Sequence, residues 1–287
     1  MSHHDDESIR HDSSSRRLVI IADDLTGACD SAVAFADVAN PVKVHITHNL
    51  SIGSGVTLFS TNSRDLPANE ARERLAEVAP KVPAGCTVFK KVDSVFRGNT
   101  FTEIANSIEL FPAEVAVLAP AYPSMGRRLR NGVLEVESHG GRESIPILEL
   151  LKQHGCAPGL LRASTDVNAL ASELKAALSN GTKLVLCDAT EHVELSAAVE
   201  AAESLRRETL WIGSGALAHA IAGRWPKHTA TAEPGLPAGE VVFFIGSDHP
   251  VTRGQQLHLE RTSGIDPAGP TDTRSRVVSV PRNNASE

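Results

Sequence analysis

The chain has 287 residues, enough for one large domain or two ordinary ones. Hydrophobic residues make up 41%, and the 21 glycines raise the apolar share to about 48%, inside the globular range of roughly 45–50%, which excludes wholesale disorder. With 28 basic residues against 35 acidic ones and 4% aromatics, it lacks the basic, aromatic-studded surface that DNA or RNA binding requires.

Residues 1–16 open the chain as a polar tail, expected to be disordered, with no apolar segment of the kind that marks an export signal. No run approaches the roughly 18 apolar residues of a membrane span, so the sequence predicts a cytoplasmic protein without a membrane partner. Cys29, Cys86, Cys156 and Cys187 lie far apart without CxxC spacing and read as reduced thiols, mostly in helices and strands. His3, His4 and His11 in the tail, and His249, read as solvated side chains, and no metal site is predicted.

From Arg17 onward, short apolar runs alternate with helical patterns, the signature of an α/β domain whose mostly parallel sheet carries helices on both faces. Predicted strands lie at 18–22, 42–47, 56–61, 87–92, 115–120, 183–189, 209–214 and 241–246. Helical spacing falls at 27–39, 68–82, 100–111, 144–155, 167–181 and 192–207, with Asn180-Gly181 closing one helix as a C-cap. The Gly- and Arg-rich stretch 121–143 reads as a loop or a small hairpin over the site. A first domain at 17–225 is followed by a Pro/Gly/Ala linker at 226–240. Residues 241–287 then supply one strand, one helix at roughly 252–261 and a polar tail, too little for a core of their own. That strand is expected to pair with the first domain's sheet or to remain an open edge.

In an open parallel sheet, ligands bind beyond the carboxyl ends of the strands. Here those ends carry Asp23, Asp24 and Thr26, then Arg64, then Asp93 and Arg97, then Arg127. One such loop alone reads as helix capping, since Asp and Thr favour N-caps and first turns. Four strand ends so equipped ask for more, because the helix dipole disfavours Arg at an N-terminus. Arg64, Arg97 and Arg127 suit an anion, which a guanidinium fork grips bidentately, while Asp24 and Asp93 suit hydroxyls. Gly213-Ser214-Gly215 reads equally as an anion cradle or as a tight strand-to-helix turn. No GxxxxGK[ST], GxGxxG, HExxH or GxSxG occurs, which leaves P-loop enzymes, Rossmann dehydrogenases, zincins and α/β-hydrolases without sequence support.

The segments ADDLTGACD, TNSRDL, KKVDSVFRGN, APAYPSMGRRLRNG, LCDAT, WIGSGALA and IGSDHPVTRGQQL resemble, in this order, signature segments of the four-carbon acid sugar kinase family. The resemblance runs from about Arg17 to Leu257 and implies an N-terminal domain for a sugar acid, a C-terminal domain for ATP with Mg²⁺, and phosphoryl transfer between them. It puts Asp23, Asp24, Thr26, Arg64, Asp93 and Arg97 on the substrate side and Ser247 on the nucleotide side, with Asp24 as the catalytic candidate. The family's GSCSP-like run reads Gly246-Ser247-Asp248-His249-Pro250 here, and its glycine-rich GGDT-like run is absent, so the resemblance implies that 241–287 is the remnant of a truncated nucleotide domain.

Two functions follow as expectations. The first is ATP-dependent phosphorylation of threonate, erythronate or an oxo-tetronate, this chain supplying mainly the substrate-binding half, with a nucleotide-binding partner chain or a homodimer completing it. The alternative is an inactive module that still binds the sugar acid.

Overall fold

The apolar runs become strands because β-branched and aromatic residues fill both faces of a sheet covered on both sides. The structure, a computed structural model, describes residues 17–36, 42–46, 52–53, 55–138, 141–225, 241–245, 250–263 and 275–279. The expected tail at 1–16 and linker at 226–240 lie outside them, as does Ser247. The chain divides into two compact units, Met1–Thr231 and Ala232–Glu287.

In the first unit the order is β1 (Arg17–Ala22), α1 (Leu25–Phe35), β2 (Lys43–His45), β3 (Gly55–Ser60), α2 (Ala68–Val78), β4 (Thr87–Lys91), α3 (Thr100–Leu110) and β5 (Val115–Ala119). Then come β6 (Arg127–Arg130), β7 (Val133–Ser138), β8 (Gly141–Ile145), α4 (Ile147–Gln153), β9 (Pro158–Leu161), α5 (Val167–Ser179), β10 (Leu184–Cys187), α6 (His192–Ser204), β11 (Thr209–Gly213) and α7 (Gly215–Ala222). Eight strands form one parallel sheet in the order β2-β3-β1-β4-β11-β5-β10-β9. Leu18, Val19, Ile20 and Ile21 of β1 are wholly buried within it.

The links from β1 to β2 and from β9 through β10 to β11 run one way across the sheet, and those from β3 through β4 to β5 run the other way. Right-handed crossovers therefore put their helices on opposite faces. Accordingly α1, α7, α6 and α5 pack in one layer, while α2 packs on α3 in the other. The loops leaving the adjacent strands β1 and β4 turn to opposite faces, which opens a crevice between their carboxyl ends.

Several sequence expectations are corrected. The stretch 121–143 is neither a loop nor a single hairpin: after a 3-10 turn at Pro123–Met125, β6, β7 and β8 form a three-stranded antiparallel sheet. The helix expected from 144 starts only at Ile147, after Pro146, and β9 was not foreseen because PGLL is short and opens on a proline, which suits a sheet edge. Two of the four cysteines, Cys86 and Cys156, sit in connecting segments rather than in helices or strands, and all four are free.

The second unit has β12 (Val241–Ile245), α8 (Pro250–Ser263) and β13 (Ser275–Ser279). β12 neither joins the first sheet nor stays unpaired; it pairs in parallel with β13, Phe243 opposite Val277. A parallel pair needs a long crossover, and α8 lies within it, so the segment expected as a polar tail contributes a strand. Among the described residues no helix is long and apolar enough to cross a membrane.

The small antiparallel sheet is tied to the large one at the end of β10. Leu129 and Ala189 exchange backbone hydrogen bonds, and the Asp188 carboxylate accepts the N–H groups of Asn131 (2.7 Å) and Gly132 (3.0 Å). Asp188→Ala leaves both donors without partners, and stability should fall by about 2–3 kcal/mol. Chemical denaturation checks the loss, and amide exchange should quicken at 127–145 while β1 and β4 stay protected.

Candidate active site

Asp24 follows β1 with an extended backbone and caps α1, its Oδ1 accepting the Gly27 N–H at 2.7 Å. Gly27 has no room for a side chain: a Cβ would lie 2.6 Å from Asp24 Oδ1 and 3.0 Å from Lys91 Nζ. After β3 the N–H groups of Ser63 and Arg64 donate to Asp23 O, and Asn62 takes the left-handed conformation (φ +49°) that its short polar side chain tolerates. This turn brings Arg64 back over β1. Its Nε and Nη2 donate to the two oxygens of Asp23 (2.7 and 3.0 Å) and Nη1 to Asp24 Oδ2 (2.6 Å), with Asp93 Oδ2 at 3.5 Å from Nη2.

After β4, Asp93 Oδ1 accepts the N–H groups of Val95 and Arg97, and Oδ2 accepts Arg97 Nε (3.1 Å) and Nη2 (2.6 Å). Phe96 is left-handed at φ +60°, a strained conformation for an aromatic residue, held by burial and by stacking on Phe101. At Gly98 (φ +66°) a Cβ would come within 2.4 Å of Arg64 O. Asn99 Nδ2 donates to Ser63 O and Leu66 O, lacing this loop to the one after β3.

Burial pushes the Asp93 carboxyl up, but the Arg97 side chain and the N–H groups of Val95 and Arg97 outweigh it and hold Asp93 below its ordinary range. Burial also lowers Lys91, and its neighbours Asp23, Asp30, Asp24 and Asp93 only partly oppose this. Lys91 Nζ donates to Val92 O, and the Tyr122 hydroxyl, pushed up by burial and then by Asp30, contacts Asp30 Oδ1 at 3.3 Å.

Thus Asp23, Asp24, Arg64, Asp93 and Arg97 share one cluster. Arg64 is 15% exposed and its fork grips the protein's own carboxylates, whereas Arg97 is 67% exposed. Thr26 stands exposed in the first turn of α1. Arg127 does not lead into a helix as its placement at a strand end suggested. The turn at Gly126 (φ +73°) sends it along β6, where Nη1 bonds Met125 O and Nε is buried without a partner.

Gly213-Ser214-Gly215 is a tight turn: the Ser214 hydroxyl donates to Ala121 O and caps Ala216 N, and a Cβ at Gly213 would meet Ala119 O at 2.4 Å. The sequence reading gives Lys91 and Asp30 no role, and Tyr122 none beyond its place at a strand end; the signal for Lys91 was the lysine pair Lys90-Lys91 closing a strand. Among the described residues no group of three His, Cys, Asp or Glu could hold a metal ion, and the aspartates here face guanidinium groups instead.

Residues 18–157 match the model of the Sugar-binding N-terminal domain. A D-threonate kinase of Cupriavidus necator is 29% identical over 272 residues, covering 86% of this chain and 64% of the relative. A D-threonate kinase of Bordetella bronchiseptica is 30% identical over 267 residues, covering 84% of this chain and 62% of the relative. The chain therefore spans less than two thirds of the length of these relatives. The crystal structure of a domain of unknown function from Bordetella bronchiseptica, a domain-swapped dimer with bound citrate, superposes with a TM-score of 0.59 at 26% identity, covering 86% of this chain and 65% of that one. These likenesses span the same stretch as the ordered motifs: residues 18–157 match the Sugar-binding N-terminal domain, and most of the chain is similar to D-threonate kinases.

Proposed function

We propose that the chain binds a four-carbon sugar acid beyond the ends of β1, β3 and β4 and orients one of its hydroxyls for phosphorylation by ATP. The observation that carries this reading is the exposed Arg97 fork beside the ordered carboxylates of Asp23, Asp24 and Asp93. A carboxylate ligand suits Arg97, and hydroxyls suit the aspartates. Asp24 is the most open of the three, 22% exposed against 4% for the others. A carboxylate has about four acceptor positions, and two of Asp24's are filled by Gly27 N–H and Arg64. The remainder can take a substrate hydroxyl and, as phosphoryl transfer proceeds, its proton. Arg64 has N–H groups beyond the three bonded ones to add to the acid, and the exposed Thr26 hydroxyl in the first turn of α1 offers a further donor.

The names of the two relatives make D-threonate the first acid to try, with erythronate and 3-oxo-tetronate beside it. ATP with Mg²⁺ is the donor this reading calls for. The aspartate cluster does not suit the metal, because its carboxylates already face Arg64 and Arg97. The nucleotide is assigned to residues around Ser247, a partner chain or a second copy. The work would be positioning and charge stabilisation, as phosphoryl transfer requires. An assay of the full chain with ATP, Mg²⁺ and the three acids decides between a kinase and a binding module: turnover supports the first, and binding without turnover the second.

Arg97→Lys keeps the charge and loses the fork, so titration calorimetry should show D-threonate binding weakened by about 1–3 kcal/mol with the fold unchanged. Unaltered affinity removes Arg97 from the site. For Asp24→Asn, melting should shift little, since Asn caps about as well as Asp, while turnover falls by about 10²–10⁴. A lower melting temperature with full turnover would make Asp24 a cap and nothing more.

A further inference from the structure

Beneath the crevice lies a second set of charges that the proposed chemistry does not touch. Lys90 on β4 and Glu103 on α3 are 0% and 2% exposed, with Nζ and Oε2 2.7 Å apart. The other carboxylate oxygen, Oε1, accepts the Ser63 hydroxyl. Ser63 has one hydroxyl hydrogen, and it goes to Glu103. Thr61 Oγ1 is 2.7 Å from Ser63 Oγ and 3.0 Å from Ala22 O, which extends the chain of contacts to the end of β1.

Burying an ion pair costs several kcal/mol per ion, and apolar residues of similar shape often serve stability as well or better. The pair's contacts point to another use. Ser63 immediately precedes Arg64, and the N–H groups of both residues donate to Asp23 O. The peptides before Arg64 are thus held from one side by Asp23 and from the other by Glu103, with Asn62 left-handed between β3 and this anchor. A guanidinium that must meet Asp23 through two bonds and Asp24 through a third tolerates little rotation of its own backbone.

We propose that the Lys90–Glu103 pair, acting through Ser63, positions Arg64 and thereby the carboxylates of the site. Glu103, Lys90 and Ser63 are positioning residues for sugar-acid binding, a role that rests on the function proposed above. Without the anchor, the turn at 62–64 relaxes, Arg64 leaves part of its fork, and Asp23, Asp24 and Asp93 lose the cation that orders them.

Two variants of the full chain test this. Ser63→Ala removes the link and leaves the buried pair intact; the double variant Lys90→Met/Glu103→Leu replaces the pair with apolar side chains. Three quantities are measured: melting temperature, D-threonate affinity, and the Arg64 Nε–H resonance of ¹⁵N-labelled, ligand-free protein. The double variant should melt at or above the wild-type temperature and Ser63→Ala close to it. Both should bind D-threonate at least tenfold more weakly, and in both the Arg64 Nε–H signal should shift or broaden. Unchanged affinity and an unchanged Arg64 signal in both variants, with only melting affected, overturn the proposal. If the double variant does not fold, Ser63→Ala decides alone. Should the wild type bind none of the three acids, the sugar-acid reading fails, while the Arg64 signal still decides whether the pair positions that residue.

Discussion

Three carboxylates at the ends of two adjacent strands repel one another, and Arg64 is what draws them together. At an effective dielectric of about 20, two unit charges 4 Å apart interact by about 4 kcal/mol, so an unmatched cluster would scatter. One guanidinium touching all three replaces mutual repulsion with a shared attraction. It reaches them only because β3 flanks β1 and its following turn folds back across the end of that strand.

The strand order makes that reach available. β3 and β4 lie on either side of β1, so the loops after all three strands converge, while opposite crossover directions keep α1 and α3 from closing over them. The local backbone is bent to fit. Asn62, Phe96 and Gly98 all take left-handed conformations within the two loops that meet, and at Gly98 any side chain would strike the carbonyl of Arg64. Left-handed Phe96 is the most costly of these, and its stacking on Phe101 supplies the packing that holds it there.

Much of this was legible in the sequence, for identifiable reasons. Strands covered on both faces are written as unbroken apolar runs, and the chemistry-bearing residues fell immediately after them, so the parallel sheet and the convergence of Asp23, Asp24, Arg64, Asp93 and Arg97 could be read in advance. The direction of a guanidinium could not. Sequence places Arg64 and Arg97 at neighbouring strand ends, but a left-handed Asn62 turns one inward, and a loop braced by Asp93 leaves the other exposed. Lys91 was hidden because a second lysine, Lys90, stands beside it in β4, and the carboxylates around it come from the turn after β1, from α1 and from the loop after β4. β9 and β13 were missed because neither Pro158–Leu161 nor Ser275–Ser279 carries the long β-branched run that marked the other strands.

A site whose carboxylates already hold its guanidinium groups constrains its ligand. Arg64 and Arg97 between them face Asp23, Asp24 and Asp93, so the crevice holds no surplus of positive charge for a polyanion. A ligand with a single carboxylate can share Arg97, whose guanidinium is open to solvent, without displacing Arg64. The rest of that ligand then lies against carboxylate oxygens, which accept hydroxyl donors and repel further negative charge. The short polyhydroxy acid proposed as ligand would meet both conditions at once, with its carboxylate on Arg97 and its hydroxyls on the aspartates.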